Sequence, residues 1–291
     1  MQQRLKNLLK KTLSPQVYEK VRYLYHKTFI SGIPEIFAHE YDLDSLYLLK
    51  PHGHDFHMYV TPRYRFHYEQ QSYEPFTARL LNSLLPRAQL FMDIGASYGF
   101  YSMLVASRNS AVEIMALEPT PTTFAVLQRN LGLLDNSNNI SMHQLAVSDC
   151  IGRRKFKVTF ASDSCGFFDH PNVGTLEIIE VDTVTIDAVL KDRAPCPLVI
   201  KIDTEGNELA VLRGMAETLA RFPDVKLIVE FNPATLRAAN VEPDALLEYL
   251  DRLGFQVFFI DEEQAKLNQA TVDDAWSPKT PNDYVNLYCV R

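Results

Sequence analysis

From about residue 75 onward the chain alternates short apolar runs with stretches of helical periodicity. That alternation restricts it to βαβ units and a doubly wound, mostly parallel α/β sheet. Strands are expected at 90–94, 113–118, 140–147, 198–203, 226–231, 255–261 and 284–290. Helices fall between them. One runs from Gly99 to about residue 107. The next takes Thr120 as N-cap and Pro121 as its first residue, with Phe124, Leu127 and Leu131 facing inward. A third starts at Asn207 with Leu209, Leu212, Met215 and Leu219 as its apolar stripe. A fourth starts near Pro243, carries Leu246, Leu247, Leu250 and Leu253 on one face, and ends at Gly254. One piece departs from the alternation. Phe156, Val158 and Phe160 alternate with Lys155, Lys157 and Thr159, and 174–184 is a second run of period two. Together they predict an antiparallel β-hairpin inserted between the third and fourth core strands.

The chain of 291 residues is long enough for one such domain and an extension. Hydrophobic residues at 46% and charged residues at 22% describe a folded protein with a sizeable core and exclude a low-complexity scaffold. The net charge of −7 is unevenly spread: residues 1–30 hold seven Lys and Arg against Glu19, a net of +6, so the remainder sums to −13. Leu5, Leu8, Leu9 and Leu13 recur at helical spacing opposite Arg and Lys, Pro15 interrupts, and 17–29 is a second helical stretch. Residues 31–75, rich in Pro, Gly, Tyr and His, read as irregular with one short hairpin. The expected organisation is a helical and irregular N-terminal extension over 1–70 and a catalytic domain over 71–291. The acidic body argues against a nucleic-acid partner. The basic segment 1–30 suits weak contact with anionic lipid or an acidic protein, or is simply a solvated helix packed on the domain. No run of about 18 apolar residues and no secretory signal is found. Cys150, Cys165, Cys196 and Cys289 are scattered, which predicts free thiols and a cytoplasmic location.

Four motifs fall where a doubly wound sheet binds its ligands, at the carboxyl edge. The first is 90–100, an apolar strand followed by Asp93, Gly95, Ala96, Ser97 and Gly99 and then an apolar helix. Glycines in such a turn let a ligand approach the backbone. A carboxylate there repels a pyrophosphate and attracts an ammonium or sulfonium, so the expected ligand is S-adenosylmethionine (SAM) rather than a dinucleotide. The second is Glu118, at the end of the next strand, placed to accept from ribose hydroxyls. The third is Ser148-Asp149, where Asp149 accepts from an adenine amino group or is a plain turn residue. The fourth is 199–208, whose buried strand delivers Asp203, Glu205 and Glu208 to the centre of the edge. Clustered acids repel one another unless something positive sits nearby. Glu208 also reads as a first-turn residue of the following helix.

Asp93-Ile-Gly95-Ala96…Gly99, Glu118-Pro119…Phe124…Leu127…Asn130, Ala146-Val147-Ser148-Asp149 and Lys201-Ile-Asp203-Thr-Glu205-Gly206-Asn-Glu208 together resemble the FkbM family of SAM-dependent methyltransferases. Tyr73-Glu74-Pro75 resembles that family's entry motif. The resemblance covers roughly 70–290 and departs at Ser97-Tyr98. It implies a Rossmann-like class I methyltransferase fold, with a seven-stranded sheet whose last strand is antiparallel. It also implies SAM as cofactor, Glu74 as a ligand for the SAM ammonium group, and O-methylation of a hydroxyl on a sugar, glycan or natural product.

A neutral hydroxyl is a weak nucleophile, so a general base is expected, and Asp203 and Glu205 are the candidates. The alternative is that they hold a divalent metal, for which two carboxylates do not define a ligand set. Pro51-His-Gly-His-Asp-Phe-His57 has metal-ligand residue types at the wrong spacing, and His52, His54 and His57 read as a polar, substrate-facing loop. Tyr59, Tyr64, Phe66, Tyr68 and Tyr73 with Arg63 and Arg65, together with Phe167-Phe168 and 262–283, are the expected acceptor walls. Two competing readings are an NAD-dependent oxidoreductase or epimerase, against which Asp93 and the missing GxGxxG speak, and a non-catalytic membrane or partner-binding module.

Overall fold

The structure, a computed structural model, describes residue 43 and residues 46–70, 73–134, 139–159, 161–270 and 284–291. A short hairpin comes first, β1 (Tyr47–Leu49) with β2 (Met58–Val60), paired antiparallel. Two helices follow, α1 (Arg65–Gln70) and α2 (Pro75–Leu84). The alternating part then runs β3 (Leu90–Ile94), α3 (Phe100–Arg108), β4 (Glu113–Leu117), α4 (Pro121–Leu131), β5 (Ile140–His143) and β6 (Ala146–Val147). The inserted strands are β7 (Gly152–Thr159) and β8 (Thr175–Val184), followed by α5 (Ile186–Val189) and β9 (Leu198–Ile202). The chain finishes with α6 (Glu208–Arg213), α7 (Ala216–Arg221), β10 (Val225–Phe231), α8 (Pro233–Ala238), α9 (Pro243–Arg252), β11 (Gln256–Asp261), β12 (Lys266–Gln269) and β13 (Val285–Val290).

The main sheet has eight strands in the order β12-β11-β13-β10-β9-β3-β4-β5. β5, β4, β3, β9 and β10 are parallel, and β13 runs antiparallel between β10 and β11. After β3 the chain builds outward through β4 and β5, then returns to place β9 on the other side of β3. The order reverses between β3 and β9, and the crevice outside their carboxyl ends is where ligands of such sheets bind. Alternation along the strands splits the core. Leu90, Met92, Ile94, Ile200 and Ile202 face one layer, with Leu212, Leu246 and Leu250. Phe91, Val199 and Ile228 face the other, with Leu81, Leu104 and Leu127. Leu49, Phe56, Met58 and Val60 lie in that second layer, so the described part of 46–70 shares one core with the sheet.

The sequence-based strands and the helix starts at Thr120 and Pro243 recur within a residue or so, and the last strand is antiparallel as expected. Four features differ. The sheet gains an eighth strand because β12 pairs antiparallel with β11 at the edge. The run 140–147 breaks: β5 stays in the main sheet while β6 joins β8 and β7 in a separate three-stranded sheet. The helix from Asn207 divides at Gly214, a glycine packed so closely on the Ser148 carbonyl oxygen that a Cβ would overlap it. Two helices went unread, α1 inside the stretch read as irregular and α2 just after it; Pro75 starts α2, and its first amides, Phe76 N and Thr77 N, donate to Glu262 at 2.6 and 2.9 Å. The predicted helices within residues 1–30 lie outside the described residues.

Candidate active site

The floor of the crevice is built by two turns that touch. After β3, Gly95, Ser97 and Gly99 take φ of 77°, 50° and 86°; after β9, Glu205 and Gly206 take 53° and 96°. Ser97 and Glu205 hold a conformation that L side chains disfavour, and such strain collects at functional sites. Gly95 N and Ala96 N donate to Leu117 O at 2.9 and 3.0 Å, and Asp203 N donates to Ile94 O at 3.0 Å, so neighbouring strands hold both turns. A Cβ on Gly95 would overlap the Asp203 carbonyl oxygen, and only glycine allows the contact.

The strand register sets the chemistry. Asp93 lies opposite Lys201, and Lys201 opposite Ile228, two residues before Glu230. Period two therefore puts Asp93, Lys201, Asp203 and Glu230 on one face at the carboxyl edge. Lys201 is fully buried, and its Nζ donates to Asp203 Oδ2 at 2.8 Å. Burial pulls the Lys201 pKa down, but Asp203, Glu74 and Glu230 outweigh it and hold the ammonium charged. Asp93 Oδ2 accepts from Ser102 N at 3.0 Å and Ser102 Oγ at 2.7 Å, and burial raises its carboxyl to about 6. Glu118 accepts from Ser97 N at 3.1 Å and Thr120 N at 2.9 Å; burial raises it to about 7 despite those bonds. Burial first, and then Asp203 and other carboxylates, push Glu205 and Glu230 well above the usual range.

These groups line a cleft of about 610 Å³, within the range of small-molecule sites. Asp93, Gly95, Ala96, Ser97, Glu118, Asp203 and Glu205 are all on its wall. Tyr64, Tyr68, Tyr73, Tyr101 and Phe167 form an aromatic side, with Arg63, His67 and His170 nearby. The structure does not place five expected residues on the wall. Glu74 is buried behind it as the N-cap residue of α2, taking the Tyr101 hydroxyl proton in a hydrogen bond. Gly99 faces Leu127, where a Cβ would come within 2.5 Å of Cδ1, so its freedom serves helix packing. Ser148 is buried, accepts from Arg154 Nη1 at 3.0 Å and supports the insert. Asp149 is exposed, matching its reading as a turn residue. Glu208 braces the second turn, accepting from Thr204 N, Thr204 Oγ1 and Gly206 N at 2.9, 3.0 and 3.2 Å.

The histidine loop is not on the wall either. His54 packs against Phe56 and Phe100, and Asp55 pairs with Lys50. Phe168, Tyr59 and Arg65 are also off it, and 271–283 lies outside the described residues. Glu230 and His170 are among the wall residues that escaped sequence reading. Glu230 looks like a polar break in an apolar strand, although its parity with Ile228 and its place near the strand end were the available signal. His170, whose Nε2 lies 3.6 Å from Glu205 Oε2, comes from the β7–β8 connection and had no sequence signal.

A parallel sheet with this order reversal, a glycine turn after β3 and an acid after β4 defines a class I methyltransferase fold. Residues 93–257 match the methyltransferase FkbM domain. The chain is 26% identical over 200 residues to methyltransferase sdnD of Sordaria araneosa, covering 67% of this chain and 69% of that protein. It is 24% identical over 142 residues to the hexuronic acid methyltransferase AglP of Haloferax volcanii, covering 48% and 56%. A precorrin-6y C5,15-methyltransferase from Geobacter metallireducens aligns with a TM-score of 0.40 at 13% identity, over 74% of this chain and 86% of that one. The chain belongs to the FkbM methyltransferase family, and SAM is its cofactor. The wall fits that cofactor. The backbone of Gly95, Ala96 and Ser97 reaches the cleft beside the buried carboxyls of Asp93 and Glu118, acceptors suited to a cationic nucleoside. Among the described residues no helix is long and apolar enough to cross a membrane.

Proposed function

We propose that the chain transfers a methyl group from SAM to a hydroxyl oxygen of a sugar, glycan or natural product. The observation that carries this reading is the meeting of three surfaces in one cleft: the Gly95–Ser97 turn, the acids Asp203 and Glu205, and the aromatic wall. The two relatives named above, one a hexuronic acid methyltransferase, support it. SAM when bound supplies a methyl already activated by its sulfonium. The chain's own residues do the rest. The backbone of 95–97 and the carboxylates of Asp93 and Glu118 hold and orient the donor, with Glu118 the acceptor for ribose hydroxyls. Tyr68, Tyr73 and Phe167 offer faces for the acceptor ring and exclude water. Glu205 accepts the hydroxyl proton, since a carboxyl with a raised pKa is better matched to that task. Asp203, fixed by Lys201, positions the hydroxyl. Residues 71–291 carry the donor site and the acids in our reading, and Tyr68 of the extension adds to the acceptor wall.

Labelled methyl transfer onto a panel of sugar acceptors, beside thermal shift with SAM, S-adenosylhomocysteine and NAD, tests the reading. Asp203→Asn and Glu205→Gln are expected to retain SAM-induced stabilisation while transfer falls by about 10²–10⁴. Stabilisation by NAD alone, or full transfer by both variants, overturns it.

A further inference from the structure

We infer that Asp203, Glu205 and Glu230 form a binding site for one hard divalent cation at the acceptor side of the cleft. Each offers one carboxylate oxygen, and the three oxygens lie within 4.8 Å of one another. Two oxygens on opposite sides of a calcium-sized ion are about 5 Å apart, so this spacing admits such an ion as it stands, and a magnesium-sized ion after a slight closing. Oxygen donors alone, without His or Cys, select hard cations over zinc or copper.

The second observation is Glu230. The residue is 5% exposed, its Oε2 has no hydrogen-bond partner, and its carboxylate lies in the cluster with two others. A buried unpaired carboxylate oxygen is costly, and native proteins rarely keep one without a ligand. Glu205 Oε2 is likewise without a hydrogen bond, with His170 Nε2 no nearer than 3.6 Å. Lys201 does not settle the charge. Its ammonium bonds Asp203 Oδ2, so the three carboxylates and Lys201 together carry −2 when ionised. One divalent cation neutralises that remainder. Of the other nearby acids, Glu208 holds the turn through Oε1 and Glu74 holds Tyr101 through Oε2, and neither belongs to the cluster of three. The site shares Asp203 and Glu205 with the proposed chemistry, but cation binding does not depend on methyl transfer. A cation held there is also a Lewis acid for any hydroxyl reaching the cleft.

The test is Mn²⁺ titration of the full chain without methyl donor, followed by loss of the free-ion electron paramagnetic resonance signal, with Mg²⁺ and Ca²⁺ as competitors. One Mn²⁺ per chain with Kd below about 1 mM, displaced by Mg²⁺ or Ca²⁺, is expected. Glu230→Gln should weaken binding about tenfold or more, and Asp182→Asn, at an exposed ion pair on the insert, should leave it unchanged. Should Glu230→Gln fail to fold in a thermal melt, Glu205→Gln replaces it. Wild-type chain that leaves Mn²⁺ free at millimolar concentration, or binding equally strong in the folded variants, overturns the inference. SAM titration is read separately, so loss of donor binding with cation binding intact counts against the methyltransferase chemistry and not against this site.

Discussion

The Cα of Gly95 sits against the carbonyl oxygen of Asp203, joining the donor turn to the turn that carries the proposed base. Their contact leaves no room for a methyl group. Gly95→Ala must push the turns apart and hold Ala at φ 77°. A loss of about 2 kcal/mol or more in urea unfolding is expected, together with loss of SAM-induced stabilisation. Gly254 makes the comparison, since it has φ 80° but open space around it. Gly254→Ala should cost only about 1–2 kcal/mol and leave SAM binding intact. Equal effects of the two substitutions would show that backbone conformation alone, and not the contact, sets the cost.

Asp93 joins the sheet to α3 through both bonds to Ser102. Asp93→Ala leaves the buried Ser102 amide without its acceptor, at a cost of about 1–3 kcal/mol. It also removes a carboxylate from the donor side of the cleft. Calorimetry should show weaker SAM binding, and unchanged affinity would remove Asp93 from the donor site.

The raised carboxyl of Glu118 makes stability depend on pH. Its pKa moves from 4.5 in the unfolded chain to about 7 in the fold, so the folded chain binds more protons between those values. The contribution is therefore complete below about pH 4.5 and is lost as pH rises through about 7, on the order of 3 kcal/mol in all. Unfolding free energies measured from about pH 5 to about pH 8 should decline more steeply for the wild type than for Glu118→Gln. A constant difference between the two curves would rule out this titration. Cationic SAM and its ribose hydroxyls favour the ionised carboxylate, so the thermal shift produced by SAM should grow over the same range.

Local signals account for what was legible in the sequence. The Gly95–Gly99 turn, Thr120-Pro121 and the strand ending at Asp203 are each written in adjacent residues, and each recurs in the structure. What was missed depends on pairing across the chain. Glu230 gains its meaning from a register that sets Lys201 beside Ile228 and so brings β10 to the cleft. His170 arrives on a connection with no periodicity. The start of α2 takes its hydrogen bonds from Glu262, far along the sequence. Gly99 and Ser148 read as ligand contacts because their motifs do, yet their neighbours in space are Leu127 and Arg154.

Lys201 is the one buried ammonium among the described residues on the face that gathers Asp93, Asp203 and Glu230, and it offsets part of their charge. Lys201→Met keeps much of the side chain's volume and removes the charge. Asp203 would lose its donor, and the neighbouring acids would be left to repel one another in a poorly solvated cleft. Breaking a buried pair from one side costs about 3–5 kcal/mol. Denaturant unfolding should show that loss near neutral pH and a smaller one at lower pH, where the acids take up protons. Asp203→Asn in the Lys201→Met background should recover part of the stability, because it removes one of the uncompensated charges. A double variant no more stable than Lys201→Met would mean that Lys201 contributes through packing against Tyr101, whose ring centre lies 5.5 Å from Nζ, rather than through charge.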